Sequence, residues 1–233
     1  IDQHPGVDFF YVNAYFLGAE FVHSFPQPFN TANLPKKLKP FSSFPKSCEM
    51  KFMDLIDPKI SFDFLGGIFL SAFRRENWSQ NADVLDESAI KDDRTFSHFD
   101  NTLPHVKIFS KAFADSNAFF NAKPLAVCLS GAREWSLMSH FLGSVRLVEA
   151  LEEYRKNGLP LLSYLRCKNY ALNSFIPAIL WMFIHKQCSG YAYINPIKLI
   201  LSNCLYPNFY LSPFYYLFRK LKLKIKRKDI GPA

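Results

Sequence analysis

Asn101 to Asn157 reads NTLPHVKIFSKAFADSNAFFNAKPLAVCLSGAREWSLMSHFLGSVRLVEALEEYRKN, a helix, a strand and a helix in succession. Asn101-Thr102-Leu103-Pro104 is a helix start, with a capping Asn or Thr and a proline in the first turn. Val106, Phe109 and Phe113 then fall on one helical face. Ala118 to Leu129 is strand-like on either side of Pro124, whose missing N–H belongs on an edge strand. Ser130-Gly131 turns the chain. Arg133 to Asn157 is the clearest helix: Trp135, Met138, Leu142, Val145, Val148, Leu151 and Tyr154 recur every three or four residues, and Gly158 and Pro160 stop it.

Upstream, Asp8 to Val12 (DFFYV) reads as a short buried strand of aromatic and β-branched residues. Prolines at 26, 28, 35, 40 and 45 leave Ser24 to Ser47 irregular. Ser61 to Phe73 (SFDFLGGIFLSAF) predicts a second buried strand whose Gly-Gly pair marks a bulge or a close approach by a ligand or backbone. Asn81 to Phe99 is polar and acidic, a loop with a short helix. The order strand, strand, helix, strand, helix predicts an α/β domain. Downstream, Tyr170 to Ile184 is largely apolar, but its 15 residues fall short of the roughly 20 that span a bilayer. A buried or interfacial helix is expected there.

The 233 residues, about half of them apolar, suffice for one sizeable core. Seven of the 28 Lys and Arg residues sit in the last fifteen positions: Arg219, Lys220, Lys222, Lys224, Lys226, Arg227 and Lys228. The net charge of +8 therefore belongs mostly to the tail, which points to an anionic surface as partner. Lys220 to Lys226 alternates cation and aliphatic with a period of two, so no single helical face is assigned to it. The five cysteines are widely spaced, with no C-x-x-C pair, as expected for reduced thiols in a cytosolic setting. The first residue is Ile1, and Ile1 to Pro5 has no signal-peptide pattern; a fragment or a processed chain is expected. Phosphate-loop, dinucleotide-turn, nucleophile-elbow and H-E-x-x-H patterns are all missing.

Four segments carry a resemblance: FLGGIFLSAFRRENW (Phe64–Trp78), SHFDNTLPH (Ser97–His105), NAKPLAV (Asn121–Val127) and GAREW (Gly131–Trp135). Over roughly Val7 to Asn169 the chain resembles family 2 glycosyltransferases, and more narrowly the lipopolysaccharide and O-antigen sugar transferases similar to abequosyltransferases. The resemblance implies an A-type glycosyltransferase α/β sandwich. Residues 1–160 would be its acceptor-binding, catalytic half, and residues 161–233 a helical, aromatic and basic membrane-associated extension. The donor half, ending in a D-x-D motif, would precede Ile1. Asp92-Asp93 and Asp54-Leu55-Ile56-Asp57 do not have that spacing.

The implied reaction moves a sugar from a nucleotide-sugar donor to a hydroxyl of a lipid-linked glycan acceptor, with inversion, at the cytoplasmic face of the inner membrane. A positioned carboxylate must take the hydroxyl proton. The resemblance assigns that role to Asp100, in an Asp100-Asn101 pair where the family usually has Glu-Asp. A helix cap or first-turn charge would also explain Asp100. Gly66, Gly67, Trp78, His105 and Trp135 are the candidate substrate-binding residues, with His98 behind them. A bulge, core packing and a satisfied structural histidine are their alternatives. The family also implies a divalent metal, Mn or Mg, with ligands mostly outside this chain. The seven tail cations, preceded by Tyr206 to Phe218, suit an anionic inner-membrane surface; nucleic acid is not expected. A non-catalytic or truncated membrane-peripheral binding protein is the alternative to an enzyme.

Overall fold

The computed structural model describes residues 3–18, 35, 37–129 and 134–228. Its strands are β1 (Phe9–Leu17), β2 (Lys39–Pro40), β3 (Cys48–Lys51), β4 (Ser71–Phe73) and β5 (Asn117–Leu129). The helices are α1 (Arg75–Ser79), α2 (Glu87–Ile90), α3 (Phe99–Thr102), α4 (Pro104–Ala112), α5 (Ser139–Phe141), α6 (Leu147–Lys156), α7 (Leu161–Ala171), α8 (Phe175–Ile184), α9 (Pro196–Asn203) and α10 (Pro207–Lys228). The fold is mixed α/β. β1 runs parallel to β5 on one side and meets β4 and β2, both antiparallel, on the other. β3 closes the far edge against β5.

An aromatic core lies beneath this sheet. Phe9 of β1 meets Phe52, Phe109 and Phe113 edge to face, at ring separations of 4.9, 4.9 and 5.1 Å. Such pairs contribute about 0.5–1.5 kcal/mol each beyond the area they bury. Val106, Phe109 and Phe113 are fully buried, on the face their spacing predicts. Val148, Leu151 and Tyr154 of α6 join the same core, as do Cys167 of α7 and Phe175 of α8.

Pro124 is accommodated by a bulge. The β1–β5 register jumps from Val12↔Asn121 to Ala14↔Ala126. Asn13 fills the gap: its Nδ2 donates to the Ala122 carbonyl at 2.9 Å and its Oδ1 accepts the Ser42 N–H at 2.9 Å. β3 pairs only with Asn117 to Phe120. The stretch with Pro124 therefore lies beyond β3, while the first part of β5 is interior, unlike the edge strand expected from the proline.

Three expected elements differ. Of Ser61 to Phe73 only β4 is a strand; turns and a 3₁₀ segment (Ile68–Leu70) precede it. The single helix expected over Arg133 to Asn157 is instead a 3₁₀ turn (Glu134–Met138), α5, a π turn (Leu142–Arg146) and α6. At the end of the π turn the buried Arg146 guanidinium donates to the Phe96 and Ser97 carbonyls at 2.8 and 2.9 Å. The apolar run Tyr170 to Ile184 splits between α7 and α8 at a 3₁₀ turn, Leu172–Ser174. Pro177 has no N–H and would clash with the carbonyl of Asn173 in a continuous helix. Ser130, Gly131 and Arg133 lie outside the described residues, as does Ser24 to Asn33 of the proline-rich stretch.

Gly190 has φ +76°, and a Cβ there would stand 2.8 Å from Cγ of the buried Phe141 ring. Gly190→Ala combines a strained backbone with a clash, so a loss of about 2 kcal/mol in urea unfolding is expected.

Candidate functional site

The loop from Ser61 to Gly67 builds the site. Ser61 Oγ donates to Asp63 Oδ1 at 2.9 Å and accepts the Leu65 N–H at 2.6 Å. Those side-chain bonds hold the chain in a turn where apolar alternation alone predicts a strand. Phe64 and Leu65 follow at φ 48° and 65°. Left-handed backbone costs bulky residues about 1–2 kcal/mol each. Full burial of both side chains offsets it, as does the Tyr154 hydroxyl, which donates to the Phe64 carbonyl at 3.2 Å.

Gly66 and Gly67 are small because Asp63 is close. A Cβ on Gly66 would lie 3.2 Å from the Asp63 carbonyl oxygen, and one on Gly67 would lie 3.2 Å from Asp63 Oδ2. The Gly67 and Leu65 amides also hydrogen-bond to Asp63. Burial nevertheless raises the Asp63 pKa above the usual carboxylate value, with the Ser61 and backbone hydrogen bonds opposing it. Burial, reinforced by the Asp63 charge, raises the pKa of the phenols of Tyr11, Tyr154 and Tyr170, so all three stay protonated around this carboxylate.

His105 enters from the first turn of α4. Its Nε2 lies 3.1 Å from the Gly66 carbonyl oxygen. A carbonyl can only accept, so the ring donates from that nitrogen. Burial depresses the His105 pKa, and the ring is neutral at neutral pH.

A cavity of about 720 Å³ opens over this loop, lined among others by Asp63, Gly66, His105, Trp135, Tyr170 and Arg219. Trp135 is 44 % exposed and makes a T-shaped contact with Phe96, with ring centroids 5.7 Å apart. His140, on α5, also faces the cavity; burial and the neighbouring His185 lower its pKa. A larger open cavity of about 1020 Å³ shares Phe62 and Tyr170 with the first and carries Lys39, Lys59 and Arg166 in its lining. Arg166 is paired with Asp57 at 2.7 Å.

Of the residues singled out in the sequence, Gly66, His105 and Trp135 meet at this cavity, and Gly67 stands just behind it. Trp78 does not line it: its ring stacks on Phe73 at 5.2 Å and meets Phe109 at 5.7 Å. Asp100 is 6 % exposed and is not part of the lining. Its Oδ2 accepts the Asp86 N–H and the Lys107 ammonium, both at 2.6 Å. His98 pairs with Asp92 at 3.0 Å, and Arg94 holds the Asp92 carboxyl well below the usual range. Arg219 does not point away from the body: it bonds Ser174 Oγ at 2.6 Å and reaches the cavity. Lys220 and Lys222 are exposed on α10. Lys224, Lys226, Arg227 and Lys228 continue the helix, with side chains outside the described residues.

Asp63 was not singled out in the sequence. Its signal is the polar pair Ser61 and Asp63 inside an apolar run, directly before Gly-Gly. Among the described residues no group of three or more His, Cys, Asp or Glu side chains converges to hold a metal. Asp63 and the neutral His105 alone do not make a divalent-metal donor set. No protein-family model, curated protein or solved structure matches this chain.

Proposed function

We propose that the chain is the acceptor-side, catalytic half of a nucleotide-sugar-dependent glycosyltransferase of the family 2 type, with an A-type sandwich. It adds a sugar to a lipid-linked glycan of a bacterial surface polysaccharide, at the anionic face of the inner membrane. The observation that carries this reading is Asp63, a carboxylate with a raised pKa, set by a strained turn into a cavity beside a neutral histidine and an exposed tryptophan.

In this reading Asp63, rather than Asp100, is the general base. The acceptor hydroxyl oxygen attacks the anomeric carbon of the donor sugar, its proton passes to Asp63, and the nucleotide diphosphate leaves with the electron pair of the broken bond. A base with a pKa nearer the working pH accepts that proton more readily than an ordinary carboxylate. His105 fixes the Gly66 carbonyl and so the turn beneath the base. Trp135 offers a ring face to a sugar. Lys39, Lys59 and Arg166 in the adjoining cavity supply positive charge for phosphate groups.

The base must be ionised to work. Transfer measured as kcat/KM is therefore expected to fall as pH drops through the raised Asp63 pKa. A profile that stays flat down to the ordinary aspartate range counts against Asp63.

A further inference from the structure

α10 packs on the body through Phe209 and Ser212 and is exposed from Phe214 to Lys222. Tyr210, Phe214, Leu217, Phe218 and Leu221 recur at i, i+4, i+7, i+8 and i+11, one stripe of an α-helix. All five are exposed, with Phe214 at 67 %, Phe218 at 71 % and Leu221 at 59 %. Phe209, Ser212 and Arg219 lie on the other side: the first two are buried, and Arg219 bonds Ser174. At 100° per residue Lys220 and Lys222 fall on either flank of the apolar stripe. Pro213 does not break the helix, and the Phe209 carbonyl that a proline at 213 leaves unpaired accepts from Ser212 Oγ at 2.8 Å. Among the described residues no helix is long and apolar enough to cross a membrane.

We infer that α10 is an interfacial helix that lies flat on an anionic bilayer, with the Tyr210–Leu221 stripe in the headgroup–acyl boundary and Lys220 and Lys222 on lipid phosphates. A stripe of Tyr, Phe and Leu bordered by lysines is the pattern of a helix in the plane of the interface. A protein partner would not require cations on both borders, and a spanning helix would not tolerate them. The opposite face of the same helix carries Arg219 into the cavity, so docking sets the cavity beside the lipid surface, where a lipid-linked acceptor would be presented. This docking surface rests on the membrane part of the reading above and on none of its sugar chemistry: vesicle binding tests one and transfer the other.

The test is co-sedimentation of the full chain with vesicles of equimolar phosphatidylcholine and phosphatidylglycerol. Phe214→Ser combined with Phe218→Ser is expected to lower partitioning by roughly 100-fold. Lys220→Gln combined with Lys222→Gln is expected to lower it by roughly tenfold on these vesicles and to have no effect on pure phosphatidylcholine. Lys91→Gln, at a cation just after α2 and far along the chain, leaves binding unchanged. The substituted positions are exposed, and circular dichroism and urea unfolding confirm that each variant is folded. Wild-type levels of binding by the folded Phe214/Phe218 variant overturn the assignment. So does a wild-type dimer that the same two substitutions split without changing vesicle binding, because the stripe would then cover a second copy of the chain.

Discussion

Asp63→Asn is expected to lower sugar transfer by roughly 10²- to 10⁴-fold, the usual contribution of a positioned general base, while leaving the fold intact. Asparagine keeps the shape of the side chain, and its carbonyl oxygen still accepts from Ser61 or Gly67; what disappears is a group that can take up a proton. The same substitution has a stability signature. The folded pKa of Asp63 lies above its ordinary value of 3.8, so between those two values the native chain binds more protons than the unfolded chain. The stabilising contribution of the neutral form is complete below the unfolded value and is lost as pH rises through the folded one. Wild type should therefore lose stability relative to Asp63→Asn between acid and neutral pH, as urea unfolding at both would show. A variant less stable than wild type at neutral pH would mean that the ionised carboxylate is a net structural asset.

Asp100→Ala is expected to behave in the opposite way, costing about 3 kcal/mol of stability and nothing in chemistry. Its carboxylate is buried against the Lys107 ammonium and the Asp86 N–H. Removing one partner of a buried pair leaves the other charge uncompensated, at a cost of roughly 3–5 kcal/mol when burial is complete. Lys107 is only partly buried, which places the loss near the lower end. The Asp86 amide begins α2 and loses its acceptor as well. Urea unfolding measures the loss, and Asp100→Ala combined with Lys107→Met should recover part of it by removing the stranded charge. At temperatures where the single variant is folded, its kcat should match wild type.

These two aspartates show what the sequence makes legible. The face of α4 was readable because Val106, Phe109 and Phe113 repeat at helical spacing and Pro104 marks the start. The second half of the Arg133–Asn157 helix was readable for the same reason. Its first half was not: it breaks into a 3₁₀ turn, α5 and a π turn, and Arg146 at the end of that turn bonds carbonyls at Phe96 and Ser97, some fifty positions away in sequence. The Ser61–Phe73 segment misled because its apolar alternation suits a strand, whereas Ser61 and Asp63 satisfy the local backbone with side-chain bonds and fold it into a turn. An aspartate at a helix start looks the same whether it caps, pairs or reacts. Only the third dimension places Lys107 on Asp100 and an open cavity above Asp63. Arg219 read as one more tail cation because its partner, Ser174, lies in the turn between α7 and α8, 45 positions earlier in sequence.

The decisive measurement is transfer of labelled sugar from a panel of nucleotide sugars to membrane-extracted lipid-linked glycans by the full protein. Wild type, Asp63→Asn and Asp100→Asn are compared at a temperature where all three are folded. Asp63 as the general base predicts transfer by wild type and Asp100→Asn and its loss in Asp63→Asn. Transfer retained in Asp63→Asn and lost in folded Asp100→Asn would contradict it, and so would the absence of transfer by wild type from every donor in the panel.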